Sequence, residues 1–340
     1  MFVTIFGSVE QGIIYAIMAL GVYLTFRVLD FPDLTVDGSF VTGAATAAMM
    51  IVLGYNPVIA TLVAILAGFV AGCITGLLHT KGNINPLLSG ILMMIALYSI
   101  NLRIMGFTLE NSVGRPNIPL LNVDTIFSTV ATWWGNLGID AAITSALMGL
   151  GFEKVPKTWS VLFVGLIIII LIKVFVDWFL KTEVGLAIRA TGDNQRMIRS
   201  FSANTDRLII LGLGLSNGLV ALSGALIAQV NKAADVTMGV GMIVTGLASV
   251  IIGEAILGTK TIMRTTLAVI IGAVIYRVVL ALALKSGFLD SGDMKLITAV
   301  IVIIALILPQ IIDKYKERKR KAKRLADMRT QLEQGGNELA

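Results

Sequence analysis

Polar side chains placed inside long apolar runs are the residues of this sequence most able to do chemistry. A charge at the centre of a lipid bilayer costs about 2.5–3.5 kcal/mol on insertion scales, so such side chains usually bind, gate or pair with something. Glu254 also has a structural role open to it, because Lys260 and Arg264 lie close by in the sequence and can form an ion pair with it. The candidates for a translocation pathway or gate are Asp30, Asp33, Asp37, Asn101, Asn217, Gln229 and Glu254.

The segment from Asp30 to Gly38 holds three acids and a proline just before an apolar run. Pro32 cannot continue a helix because it lacks a backbone N–H group. Asp37 or Thr35 can then cap the helix that follows by accepting one of its free N–H groups. Two interpretations stay open: a capped turn on the cytoplasmic side, or a broken helix whose end lines the translocation route or gate.

The sequence offers little for catalysis or cofactor binding. His79 is the single histidine, so neither a Ser–His–acid triad nor a metal site of ordinary ligand type can be built around it. The segment 253–261 has the glycines of a phosphate-binding loop, but that motif needs Lys directly after its second glycine, and Thr259 intervenes. We therefore expect no enzymatic activity and no cofactor, nucleotide or metal bound by this chain.

The elements that must position these residues are membrane-spanning helices. Hydrophobic residues make up 56% and charged residues 14% of the chain, whereas soluble domains are about a quarter charged. The runs lack the period-2 alternation of a membrane barrel, so we predict an all-α, polytopic membrane bundle of about nine spans. The predicted spans are 3–26, 37–54, 57–79, 84–105, 159–180, 208–230, 237–258, 264–285 and 294–312, with 37–54 and 237–258 as the candidates for broken or re-entrant helices.

The distribution of basic residues predicts the orientation of the chain. Lys and Arg concentrate in the loop 181–207, hereafter the basic loop, and in the tail 313–340, whereas the segment 106–158 holds few. The positive-inside rule places the basic loop and the C-terminus in the cytoplasm, and 106–158 and the N-terminus outside. The chain thus divides into a membrane domain, 1–312, and a basic cytoplasmic tail, which we expect to contact membrane lipid and not nucleic acid.

The basic loop is polar and helix-prone although it joins two apolar spans. Gly185 can turn the chain out of the membrane, and Leu186–Arg199 suits a helix that Gly192 interrupts. Apolar residues beside arginines favour docking to a protein partner, and an amphipathic helix on the lipid surface is the alternative. The predicted contact residues are Gly185, Arg189, Gly192, Arg196, Met197, Ile198, Arg199, Phe201, Asn204 and Arg207, with Met197, Ile198 and Phe201 as an apolar knob and Arg189, Arg196 and Arg199 as its charged rim.

Several motifs make the chain resemble a known family. They are Thr182-x-x-Gly185-x-x-x-Arg189-Ala190, Asn204-Thr-Asp-Arg207, Leu222-Ser-Gly-Ala-Leu226 at the end of the sixth span, and the glycine-bearing segment Ala248–Gly258. This pattern resembles the permeases of bacterial ABC importers of the branched-chain amino acid and ribose type, which are type II-like. Leu29–Phe40 is most similar to a subgroup labelled as tryptophan or aromatic amino acid permeases. One departure is Ser202-Ala203, where the family often has Gly-Ile.

The resemblance implies a complete transport machine around this chain. In the family, the loop after the fifth span forms a coupling helix that docks on a cytoplasmic ABC ATPase, which binds ATP and Mg, and an extracytoplasmic substrate-binding protein delivers the solute. Two ATPases and one coupling loop per chain imply a second permease chain, as a homodimer or with a paralogue. We expect a multi-pass protein of the bacterial cell membrane that imports a small solute by alternating access, an amino acid of the aromatic type first and a nucleoside or sugar second. A gradient-driven secondary carrier or channel is the alternative.

Overall fold

The protein is a bundle of long helices with two very short strands. The computed structural model describes residues 2–107, 114–136, 158–201 and 203–285, together with isolated positions between 138 and 156 and between 296 and 307. The α-helices are α1 (Phe2–Tyr23), α2 (Thr35–Val52), α3 (Pro57–Thr80), α4 (Pro86–Met105), α5 (Ile126–Asn136), α6 (Ser160–Phe179), α7 (Glu183–Asp193), α8 (Gln195–Ser200), α9 (Thr205–Asn231), α10 (Met242–Leu257) and α11 (Ile262–Lys285). The strands are β1 (Asn117–Pro119) and β2 (Ala233–Asp235), a π-helical segment Leu24–Val28 continues α1, and a 3-10 turn Val236–Gly239 precedes α10.

Eight helical runs in the described part of the chain are long and apolar enough to cross a membrane. They coincide with the first eight predicted spans to within three residues at either end. The predicted all-α, polytopic fold is therefore confirmed. The ninth predicted span, 294–312, lies largely outside the described residues, and the tail 313–340 lies wholly outside them.

Asparagine caps set where two of the long helices begin. The side-chain oxygen of Asn56 accepts the N–H of Val58 at 2.9 Å, and that of Asn85 accepts the N–H of Leu87 at 3.0 Å. In both helices the residue after the cap is proline, whose fixed φ and missing N–H suit the first helical position. The same local chemistry thus returns the chain into the bundle at the start of α3 and of α4.

Helix α9 is packed between α2 and α3 at backbone contact. A Cβ atom on Gly43 of α2 would lie 2.0 Å from the Ala221 carbonyl oxygen, and one on Gly72 of α3 would lie 2.2 Å from the Leu213 carbonyl oxygen. Helices approach this closely only where glycine leaves room for the neighbouring backbone. Much of α9 is buried, and its apolar residues join those of α1 in the main core.

The polar connections lie at opposite ends of the bundle. Strands β1 and β2 pair antiparallel, with Asn117 opposite Asp235, which brings residues 117–119 against the chain that follows α9. Helices α7 and α8 precede α9, so they lie at its other end. We call these the sheet end and the loop end. This arrangement is the one that span alternation predicts, and the side of the membrane that each end faces remains a prediction.

Two of the spans begin inside the bundle. Asp33, just before α2, accepts a hydrogen bond from Asn217 at 2.7 Å, and Asn217 lies at the midpoint of α9. Helix α2 therefore starts near half the height of α9. The 3-10 turn and Gly241, whose φ is +84°, interrupt the run 237–258 before α10 begins beside the first turn of α2. The predicted interruption is thus present in 237–258, whereas α2 is one continuous helix.

Candidate functional site

Asp37 joins α2 to the beginning of α10. Its Oδ2 accepts the N–H of Gly241 at 2.9 Å, and its Oδ1 accepts the N–H of Ile243 at 2.8 Å. The first N–H groups of a helix have no partner within the helix, so Asp37 caps α10. The prediction that Asp37 or Thr35 caps α2 is wrong: the N–H of Thr35 is bound by Asp33 at 2.9 Å, and no side chain caps α2 at the residue before it.

A cavity of about 440 Å³ adjoins Asp37 between α2, α4 and the 3-10 turn. Its polar groups include Asp37 and Asn101, and its walls carry Met94, Ile95 and Tyr98 from α4 with valines from the other elements. Of the predicted pathway residues, Asp37 and Asn101 are the two that line it. The volume is within the range of about 300–1,000 Å³ that is usual for sites of small molecules.

Asn101 is buried with half of its amide unused. Its Nδ2 donates to the Gly38 carbonyl oxygen at 3.2 Å, its side chain is 1% exposed, and its Oδ1 has no partner. The carbonyl oxygen of Gly38 can only accept a hydrogen bond, so the amide is assigned with Nδ2 on that side. An unsatisfied buried acceptor costs about 1–3 kcal/mol, so its position beside a cavity favours a binding role.

The other buried pair holds the bundle together away from the cavity. Asp33 is fully buried and accepts hydrogen bonds from Thr35 and Asn217. Asn217 also donates to the Leu213 carbonyl oxygen at 3.0 Å. These contacts tie the entrance of α2 to the middle of α9, which is a structural role. Neither residue lines the cavity beside Asp37.

Three further predicted pathway residues lie elsewhere. Gln229 accepts the N–H of Ile126 at 3.0 Å and donates to Thr61 at 2.9 Å, so it ties α9 to α3 and to the first residue of α5. Asp30 is exposed in a turn, with a φ of +52°. Glu254 binds Arg27, and not the predicted Lys260 or Arg264, among the ion pairs of the described residues.

A second cavity, of about 700 Å³, lies at the loop end. Arg27, Arg189 and Lys260 line it together with Glu254. Arg189 is half-buried there. Helix α7 directs this side chain toward the ends of α1 and α10. The predicted place of Arg189 in the charged rim of the docking knob stays a prediction.

The glycines of the basic loop act through close packing. Gly185 lies within the first turn of α7, where a Cβ atom would lie 2.1 Å from the Phe179 carbonyl oxygen. Gly192 also lies inside α7, where a Cβ atom would lie 2.2 Å from the Val28 carbonyl oxygen. The predictions that Gly185 turns the chain and that Gly192 interrupts the helix are wrong. The interruption is at Asn194, whose extended backbone ends α7 and whose side chain caps α8.

The exposed surface of α7, α8 and the residue after α8 carries large apolar side chains. Phe201 is 73% exposed, Leu186 50% and Met197 48%, and Arg196 and Arg199 are exposed beside them. Ile198 is 9% exposed and faces inward, so the predicted knob loses this member. The sequence reasoning missed Leu186. The signal was present, because Gly185, Ile188 and Thr191 recur at helical spacing on the buried face and leave Leu186 on the other side.

The end of the basic loop is held by its own side chains. Asn204 accepts the N–H of Arg207 at 3.1 Å and thereby caps α9. Arg199 donates to the Thr205 hydroxyl at 2.9 Å. Asn204 thus has a structural role, while Arg207 is exposed. Of the departure Ser202-Ala203, Ser202 lies outside the described residues.

The chain is similar in sequence to several known proteins over most of its length. A family model described as "Branched-chain amino acid transport system / permease component" matches residues 4–308. A tyrosine transport system permease protein of Clostridioides difficile is 41% identical over 302 residues, which cover 89% of this chain and 90% of that one. An uncharacterized protein of Rickettsia prowazekii is 33% identical over 88% of this chain and 95% of its own length. The ribose import permease protein RbsC of Escherichia coli K12 is 24% identical over 89% of this chain and 84% of its own. No solved structure matches the chain.

Proposed function

Because this chain belongs to the branched-chain amino acid transport system permease family, we propose that it is the membrane subunit of an ATP-driven importer for an aromatic amino acid. The observation that carries the substrate class is the 41% identity, over nearly the whole of both chains, to a protein named as a tyrosine transport permease. The more distant relatives named as ribose permeases share the family but are only 24% identical. A sugar is therefore the second choice of substrate.

The surface of α7 and α8 is the proposed docking site of a cytoplasmic ABC ATPase. Phe201 and Met197 project from it as apolar side chains, and Arg196 and Arg199 lie beside them. An apolar centre with a polar rim is the usual composition of a protein interface. Leu186 on α7 extends the same surface. In this proposal the chain binds no nucleotide, and the ATPase supplies ATP hydrolysis with its own Mg.

Assembly follows from this division of work. Two ATPases close on ATP together, and each chain has one basic loop, so two copies of the chain form the membrane part. An extracytoplasmic binding protein delivers the solute at the sheet end, where β1 and β2 meet. Nucleotide shifts the balance between inward-open and outward-open states only if the ATPase binds α7 and α8 differently in the two states.

Reconstitution tests the proposal. The permease is purified with its ATPase and placed in proteoliposomes with the binding protein, and uptake of tyrosine, phenylalanine, tryptophan and ribose is measured with and without ATP. We expect ATP-dependent uptake of at least one aromatic amino acid, and a complex with two permease chains by mass photometry. Uptake that follows an ion gradient and ignores ATP would instead identify a secondary carrier or channel.

A further inference from the structure

We propose that the cavity between α2, α4 and the 3-10 turn binds the ammonium group of the transported amino acid, with Asp37 and the side-chain oxygen of Asn101 as its acceptors. This inference rests on the proposed function, because it names the group of the substrate that the permease itself reads. The apolar wall of the cavity receives the side chain of the amino acid.

The polar atoms beside the cavity are mainly acceptors with capacity to spare. The Asp37 carboxylate accepts the backbone N–H groups of Gly241 and Ile243, with that of Met242 beside them, and its two oxygens offer about four lone pairs in all. The amide of Asn101 already uses its donor on the Gly38 carbonyl, and its Oδ1 is free of partners. An ammonium group has three donors and no acceptor, so it matches this set.

The same geometry argues against a site that reads a carboxylate at this point. The N-terminus of a helix normally attracts anions through its free N–H groups and its dipole. Here Asp37 already binds the N–H groups of Gly241 and Ile243 at the start of α10. The hydroxyls of Tyr98 and Ser99, on the exposed side of α4, remain as donors for the substrate carboxylate at the cavity mouth.

Asp37 also lacks a cationic partner. The ion pairs found among the described residues join Arg27 to Glu254, Lys173 to Asp177 and Arg199 to Asp206, and none involves Asp37. Among the described residues, no basic side chain lines the cavity. A largely buried carboxylate is stabilised by an opposite charge close by, and the substrate ammonium supplies that charge.

The apolar part of the cavity suits an aromatic or long aliphatic side chain. Met94, Ile95, Tyr98 and Val240 line the cavity together with the two acceptors. Methionine adapts its shape to a ligand and its sulfur makes favourable contacts with aromatic rings. A lipid acyl chain would also fill an apolar crevice, but it would leave the Asn101 oxygen without a partner and the charge of Asp37 without a cation beside it.

Thiol labelling tests the location and the chemistry of the site together. Ser99 lines the cavity and is exposed, so S99C in a C73A background, which removes the single native cysteine, gives a reporter there. The purified transporter in nanodiscs is treated with a small thiol reagent in the presence of tyrosine, of tyramine, or of 3-(4-hydroxyphenyl)propanoic acid. We expect tyrosine and tyramine, which have the ammonium group, to slow labelling severalfold, and the deaminated acid to leave the rate unchanged. T259C at the loop-end cavity is the matched reporter that none of them protects.

Removal of the charge tests the role of Asp37 in transport. D37N keeps one oxygen acceptor and loses the carboxylate charge, and D124N removes the same charge from an exposed position near the sheet end. A hydrogen bond to a charged group differs from a neutral one by enough to lower tyrosine uptake at limiting concentration about tenfold or more in D37N. D124N is expected to transport like the parent protein. Assembly with the ATPase and basal ATP hydrolysis are measured in each variant to confirm folding.

The outcomes separate the two proposals. If the parent transporter shows no ATP-dependent uptake of any aromatic amino acid, the proposed function is wrong and this inference falls with it. If the parent imports tyrosine but tyrosine does not protect S99C, the inference alone is overturned, and the cavity is a lipid-filled crevice. Equal protection by tyrosine and the deaminated acid also overturns it, because the site then does not read the ammonium group.

Discussion

The most exposed aromatic side chain at the loop end is Phe201, which follows α8 directly. An aromatic residue with nearly three quarters of its surface in water is unfavourable in an isolated protein, and such residues often anchor a partner. Met197, on α8, shares this exposed side. A substitution of Phe201 therefore tests the proposed coupling to an ATPase most directly.

We expect F201D to lose substrate-stimulated ATP hydrolysis and retention of the ATPase during purification, since a carboxylate cannot fill an apolar pocket without losing its hydration. Y55D is the matched control, because Tyr55 is also an exposed aromatic residue but lies in the turn between α2 and α3. The folding of both variants is checked by size exclusion. Normal stimulation in F201D would remove Phe201 from the interface.

Single residues also show where sequence reasoning stops. The residue types in the basic loop predicted a helical surface that faces a partner, yet Ile198 faces inward because neighbouring elements cover it, and Arg189 lines the loop-end cavity. A glycine that permits a turn and a glycine that permits close packing are identical in the sequence. For Gly185 and Gly192 the distinction depends on backbone that approaches from α6 and from the end of α1.

At the scale of elements, the contact of α3 with α9 depends on glycine. The backbone of α9 occupies the space where a side chain on Gly72 would lie, whereas a Cβ atom on Gly218 of α9 would meet its nearest neighbour at 3.5 Å. The first distance requires the helices to move apart, and the second is an ordinary van der Waals contact. The two positions thus offer a matched test of helix packing.

We expect G72A to destabilise the solubilised protein by about 1–3 kcal/mol, the usual effect of overfilling a packed interior. G218A is expected to be neutral or slightly stabilising, since alanine is the better helix former by about 1 kcal/mol. The measurement is the midpoint of thermal unfolding of the purified protein, followed by tryptophan fluorescence. Equal midpoints for the two variants would contradict the close approach of α3 and α9.

Hydropathy predicted the spans because the length and composition of a membrane helix are local properties. The start of α2 near half the height of α9 was beyond such reasoning, since it depends on the bond between Asp33 and Asn217, which are 184 residues apart in the sequence. The capping of α10 by Asp37 depends on a contact across 204 residues. Local rules assign a capping residue to the next helix along the chain. Here the chain folds back, and the start of the distant helix α10 reaches Asp37 instead.

At the scale of the whole molecule, the two ends of the bundle must face opposite sides of the membrane. In a C73A background, the substitution F201C places a cysteine at the loop end, and Y55C places one at the sheet end. We expect a membrane-impermeant thiol reagent added to spheroplasts to label Y55C, and to label F201C only after the membrane is opened, because the positive-inside rule predicts a cytoplasmic basic loop. The reverse pattern would invert the topology and exclude docking of a cytoplasmic ATPase at α7 and α8.

The ion pair of Arg27 with Glu254 lies at the loop end, in the cavity that Arg189 of α7 also lines. Arg27 is half-exposed, so the pair contributes about 1 kcal/mol or less to stability. We expect E254Q to unfold at nearly the same temperature as the parent protein but to couple ATP hydrolysis to tyrosine uptake less well, since three cations then line the cavity without an acid. D124N, at an exposed acid outside the basic loop, is the control. Unchanged coupling in E254Q would leave the pair with a packing role.

Helix α10 extends from Asp37, beside the first cavity, to the loop-end cavity that Glu254 lines. It is 16 residues long, or about 24 Å at 1.5 Å per residue. Asp37 binds its first turn to α2. Its last turn carries Glu254, which pairs with Arg27 near α7, the helix proposed to contact the ATPase. A hydrogen-bonded helix resists shortening, so a displacement of its C-terminal end near Glu254 would also displace its N-terminal end near Asp37. If ATP hydrolysis moves α7, a rigid α10 would carry that movement to Asp37, and the affinity of the proposed site for the amino acid would change in each transport cycle.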